Sequence, residues 1–153
     1  MILFVLMAAA GPLVGPLDRA AALRTEPVVA CEAALSDAAP EMRQTALYCV
    51  EQRRSPDIAA RLVTALADPD VEVSATARLL LVRYEPETAV ATATPELRAD
   101  IADELARLLL RRAGASAPLR QRYHRVLTLL SEDEEQAVRN EAEQALEQVT
   151  GKY

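Results

Sequence analysis

The sequence predicts an all-α chain built from helix pairs, and three observations carry this. Prolines recur at nearly regular intervals, two of them behind the capping residues Ser55 and Asp68, apolar residues between them recur at three-and-four spacing, and aromatic residues make up only 3% of the chain while Ala and Leu are abundant. Small and unbranched side chains favour close helix packing over a sandwich of β-branched and aromatic strands. With 153 residues, 51% of them hydrophobic, the chain is long enough for one domain to bury a core.

The first seventeen residues, MILFVLMAAAGPLVGPL, contain no charged side chain. The stretch is too short for a bilayer span, which takes about 20 apolar residues, and Gly11–Pro12 and Gly15–Pro16 break it. It reads instead as an export signal, with small residues at Ala8 and Ala10, or at Ala20 and Ala22, offering A-x-A cleavage sites. This assigns 1–22 to a signal peptide and 25–153 to the helical domain, and places the protein in the periplasm or outside the cell. A cytoplasmic location stays open, because no basic residue precedes the apolar run; the stretch is then a buried or frayed N-terminal helix. Val28–Val29–Ala30–Cys31 has the look of a lipobox, but Asp18, Arg19, Arg24 and Glu26 interrupt the apolar run that should lead into it.

From Thr25 onward the prolines act as punctuation. Pro27, Pro40, Pro56, Pro69, Pro86, Pro95 and Pro118 each precede a helical pattern, and Ser131 with Glu134 three residues later makes a capping box for an eighth. The expected pairs are 27–36 with 40–53, 56–67 with 70–84, 86–92 with 95–112, and 118–130 with 134–149. In the second pair, Ile58, Leu62, Val63 and Leu66 line one helix, and Val73, Ala77, Leu80, Leu81 and Tyr84 line the other. Only Ala67 to Asp70 separates them, so they fold back on each other. One such hairpin cannot bury its apolar face alone, which makes repetition the organising feature.

Superposing Asp37, Asp68 and Asp133 tests the repetition. Met42, Val73 and Val138 then share one column, Ala46, Ala77 and Ala142 the next, and Val50, Leu81 and Leu146 a third. A weaker copy lies between the last two, where Pro95–Glu96–Leu97–Arg98 matches Pro40–Glu41–Met42–Arg43. There Ile101 replaces the small Ala of the other copies, which predicts a local gap or turn.

These stretches, with Leu66–Ala67–Asp68–Pro69–Asp70–Val71–Glu72–Val73 as the clearest, resemble the short bacterial type of HEAT-like repeat. The resemblance implies an α-solenoid of about four antiparallel helix pairs, with second helices lining a concave face, acting as a scaffold. It also implies hydrogen bonds between the Asp and Arg of adjacent turns, carried here by Arg43, Arg98 and Arg139. Ser74 stands in the corresponding place of the second pair and breaks that series.

Chemistry-bearing motifs are sparse. A net charge of −6 argues against nucleic acid as partner, since affinity there comes from neutralising phosphates. One His and two Cys lack metal-ligand spacing, four Gly form no phosphate loop, and His124 beside Tyr123 has no nucleophile motif around it. Asp103–Glu104 and Glu132–Glu135 suit solvated helix starts better than acid/base pairs. No catalytic, cofactor-binding or metal-binding residue is therefore expected. Cys31 and Cys49 fall at comparable heights on the first hairpin, so they form a disulfide in an oxidising compartment, or Cys49 is a plain core residue.

Arg107, Arg111, Arg112, Arg120, Arg122 and Arg125 run without an acid between Glu104 and Glu132. Pairing with neighbouring helices and a polar cap on the last pair is the simpler account; a site for an anion or an acidic partner is the sharper one. For a protein partner the expected patch is Tyr48, Glu51, Arg78, Leu79 and Val82, the residues left on the second helices away from the core face, unless Leu79 and Val82 pack against the adjacent pair. The expectation is thus a monomeric, non-enzymatic scaffold without cofactor or membrane span. The rival is an accessory or lyase-type HEAT-like protein binding a small molecule or chromophore, with His124, Tyr123 and the two Cys as its only reactive groups.

Overall fold

The structure, a computed structural model, describes residues 15–111 and 115–151. Among them the fold is all-helical, with α1 (Pro16–Leu23), α2 (Val28–Ala34), α3 (Pro40–Gln52), α4 (Ile58–Ala65), α5 (Val71–Leu81), α6 (Pro86–Ala91), α7 (Pro95–Leu110), α8 (Ala117–Leu130) and α9 (Gln136–Thr150). α1 is additional to the eight helices expected from periodicity. The cleavage candidates Ala8 and Ala10 and the basic residue Arg112 lie outside the described residues.

Three helix starts differ from the sequence reading, each for a local reason. Pro56 does not open α4: Asp57 adopts a left-handed backbone (φ 58°), so the helix begins at Ile58. Asp70, not Asp68, caps α5, its carboxylate accepting from the backbone N–H of Glu72 and Val73. Ser131 closes α8 instead of opening α9, donating its hydroxyl to the Thr128 carbonyl, and Glu135 takes the N-cap position. Thr94 and Ser116 cap α7 and α8 in the ordinary way.

α2 packs on α3, α4 on α5 and α8 on α9, through turns at 35–39, 66–70 and 131–135. α3 continues onto α5, α5 onto α7, and α7 most extensively onto α9. The main core draws Leu47, Leu62, Leu81, Ile101, Leu105, Leu127 and Val138 together from α3, α4, α5, α7, α8 and α9. A second cluster joins Ala20 and Leu23 of α1 to Cys31, Met42, Ala46, Cys49 and Val50. Half-buried Leu35 and Ile58 touch both clusters and make them continuous.

Small residues recur where the helices press closest: Ala46, Ala77 and Ala142 have no exposed surface. Ile101 is equally enclosed, beside a wholly buried Ala102, so the expected gap is not there. The small side chain is supplied one position later.

The turns carry a repeated polar link. In each, the Asp carboxylate accepts from the backbone N–H two residues on: Asp37 from Ala39, Asp68 from Asp70 and Asp133 from Glu135. Arg43 donates to the carbonyls of its own turn at Asp37 and Ala38, and grips Asp68 of the next turn with two bonds of 2.8 Å. Arg98 repeats this with the Ala93 carbonyl and Asp133, at 2.8 and 2.9 Å. In the second pair, Ser74 turns its hydroxyl onto the Val71 carbonyl, and Arg78, one turn later, reaches Thr92 at 3.3 Å. At the last turn Arg139 bonds the Asp133 and Glu134 carbonyls and then Gln136.

Candidate functional site

The partner patch expected from the sequence is divided by the fold. Tyr48 is 46% exposed on α3, and half-buried Leu79 on α5 lines the same groove, a cleft of about 260 Å³ between α3, α5 and α7. Arg78 points elsewhere, to Thr92 and the Ser74 carbonyl. Glu51 is mostly enclosed and accepts from Arg83 at 2.6 Å.

Val82 is wholly buried and must be struck from any surface patch. The physical reason is the number of neighbours around α5, which packs against α3, α4, α6 and α7. Val82 follows the last residue of α5 and is enclosed there, whereas Leu79 on the same helix still borders the groove. The polar Ser74 and Thr76 of α5 are buried as well, Thr76 accepting from the Gln44 side chain at 2.9 Å.

Four groove residues were not singled out as a partner site in the sequence, Arg83, Asp100, Asp103 and Glu104, whereas Arg107 was named there only within the arginine-rich stretch. Only the spacing of Asp103 and Glu104 to Arg107, four and three residues, hints that they share a helix face. Arg107 pairs with both acids, and Arg83 bridges α3 and α7 by bonding Glu51 and, at 3.3 Å, Glu104. Burial acts to lower the Arg83 pKa, but the hydrogen bonds and charges of Glu51 and Glu104 outweigh it and hold it raised. Its Nε is buried without a partner. Asp100, exposed at the groove edge, forms no ion pair among the described residues. The groove therefore offers an exposed ring and an aliphatic floor of Leu79 and Leu80 beside a partly neutralised acidic rim.

The groups with reactive potential lie apart. Cys31 and Cys49 are joined in a disulfide, with Cα atoms 5.8 Å apart, beneath α1. Tyr123 is buried and donates its hydroxyl to the Arg83 carbonyl at 2.7 Å, and burial raises its pKa. His124 is exposed on α8. Among the described residues no group of His, Cys, Asp and Glu is arranged to hold a metal ion, and no helix is long and apolar enough to cross a membrane.

Of the arginine-rich stretch, Arg107 finds its acids within α7 and Arg122 finds one in α6, and neither pairs with α9. Arg122 makes two bonds to Glu87 of α6, at 3.1 and 2.6 Å, and a long one to the Tyr84 carbonyl. That pairing holds Glu87 below its ordinary carboxyl pKa and Arg122 above its own. The outer surface of α9, with Asn140, Glu143, Gln144 and Glu147 exposed, is mostly polar. No protein-family model, curated protein or solved structure matches this chain.

Proposed function

We propose that the chain is a short, monomeric α-solenoid of antiparallel HEAT-like helix pairs, exported to an oxidising compartment, where it holds another protein without catalysing a reaction. The groove between α3, α5 and α7 carries this reading. Tyr48 keeps 46% of its surface exposed next to Leu79 and Leu80, an aromatic and aliphatic combination that suits an interface centre. Asp100 is left without a basic partner at its edge, which favours a partner segment with an apolar anchor flanked by Lys or Arg.

The repeated Arg–Asp links between turns, and the buried Ala columns, support the repeat architecture. The Cys31–Cys49 disulfide supports export, since such bonds persist outside the reducing cytosol. A polar α9 suits the last unit of a stack.

Affinity capture from the envelope fraction of the source organism, run in parallel with wild type and with Tyr48→Ala/Asp100→Lys, tests the reading. A protein retained by wild type and lost by the variant is the expected result, with helical circular dichroism and melting temperature unchanged between the two. Equal retention by both would move the binding surface away from this groove.

A further inference from the structure

Where α3, α5 and α7 end, a second cavity of about 480 Å³ opens, with Arg83 lining both it and the Tyr48 groove. That volume falls within the range of about 300–1,000 Å³ typical of small-molecule sites. One wall is apolar, made by Ile58, Leu108 and Leu119, with the rings of Tyr84 and Tyr123 beside them. Among the described residues its charged groups are Arg54, Arg83 and Arg111 against Glu51, in a chain whose net charge is −6.

One feature is common to Arg54 and Arg111, and a second belongs to Arg54. Arg19, Arg43, Arg61, Arg83, Arg98, Arg107 and Arg122 all meet a carboxylate, whereas the side chains of Arg54 and Arg111 form no ion pair or hydrogen bond among the described residues, a state they share with Arg24 and Arg125 outside the cavity. Arg54 also sits at φ 50°, in the left-handed region. It follows the last turn of α3, where the Arg54 N–H bonds the Glu51 carbonyl and the Ser55 N–H bonds the Val50 carbonyl. This helix-ending pattern ordinarily uses glycine at that place, because an L side chain there crowds its own carbonyl. The chain instead keeps a long cationic side chain at a strained position on the rim of an apolar cavity.

We propose that this cavity binds an amphipathic carboxylate, a small organic anion with an apolar body. The body lies against Ile58, Leu108 and Leu119, and the carboxylate is taken by Arg54 and Arg111. Arg83, already held by Glu51 and Glu104, stays structural. The two free arginines also oppose the negative dipole ends of α3 and α7, and the experiment separates the two roles.

The full chain is titrated with sodium decanoate below its micelle concentration, by calorimetry and by saturation-transfer NMR, with acetate and decanol as the charge-only and body-only comparisons. Saturable binding of decanoate is expected, weakening with added salt, with acetate and decanol about tenfold weaker or worse. Arg54→Gly should lower decanoate affinity about fivefold while leaving circular dichroism unchanged and the melting temperature equal or higher, because glycine relieves the left-handed strain. Arg111→Gln should lower affinity to a similar degree, and Arg125→Gln, outside the cavity, should not. Decanol binding as tightly as decanoate, or no saturable binding to the folded chain, would overturn the proposal. So would a lower melting temperature with unchanged affinity in Arg54→Gly, which would leave Arg54 as a helix-end cap.

Discussion

Arg43–Asp68 and Arg98–Asp133 are enclosed ion pairs, each side chain between 11% and 16% exposed and each pair doubly hydrogen-bonded. Their arginine bonds hold Asp68 and Asp133 below the ordinary carboxyl value of 3.8, against the opposing effect of burial. The folded state therefore binds fewer protons than the unfolded chain near that value. The stabilisation is complete above it and is lost as pH falls through the lower folded values. Thermal melts from pH 7 downward should stay level until about pH 5 and then drop. In Asp68→Asn/Asp133→Asn the melting temperature should start lower at pH 7, and the acid limb should be shallower; an unchanged acid limb would mean other carboxylates govern it. Removing one partner outright, as in Arg43→Ala, should cost about 1–2 kcal/mol by denaturant titration, since Asp68 would lose both charged bonds.

At the scale of the element, α5 and α8 make the sharpest predictions. Enclosure of α5 means that Val82→Asp places a charge with no partner in the core, at a cost on the order of 3 kcal/mol or more, whereas Tyr48→Asp on the exposed face of α3 should melt within about 0.5 kcal/mol of wild type. Chemical denaturation of the pair checks the burial of Val82 directly. α8 is tied to the end of α5 by the Tyr123 hydroxyl on the Arg83 carbonyl. Tyr123→Phe keeps the ring packing and removes only that bond, so a loss of about 1 kcal/mol is expected. A larger loss would mean that the ring had also moved.

At the scale of the whole molecule, α1 and the disulfide determine how the N-terminal cluster is closed. Ala20 and Leu23 are buried against the cluster that holds Cys31, Cys49 and Met42. The bond closes a sequence separation of 18 residues, so its reduction should remove about 3 kcal/mol, read as a lower denaturation midpoint in the presence of a thiol reductant. Under the proposed export, cleavage after Ala22 would strip α1 from this cluster, whereas cleavage after Ala10 would leave it whole. Mass spectrometry of the native protein should therefore find an N-terminus between Gly11 and Pro16. An N-terminus following Ala22 would make α1 dispensable, and a retained Met1 on cytosolic protein would sink the export reading.

Helix content, the positions of the turns and the columns of small residues were legible in the sequence, because three-and-four spacing and Asp or Pro at regular intervals are properties of local chain geometry. So was the partnership of Arg43 with the next turn, through the resemblance to repeat proteins. α1 was legible only as the alternative to an export signal, because its apolar and small residues suit both a buried helix and the end of such a signal. The start of α9 was misplaced because Ser131 had two local uses, closing one helix or capping another, and Asp133 decided between them by bonding both Arg98 and the Glu135 N–H. Only the tertiary structure decided which residues remain on the surface. Periodicity marks one apolar face per helix, but burial depends on how many neighbours a helix has, and α5 has enough to enclose Val82 as well as Leu81. The groove at Tyr48 and the cavity at Arg54 and Arg111 belong to the same class: each is assembled from helices far apart in the chain, and no stretch of sequence contains it.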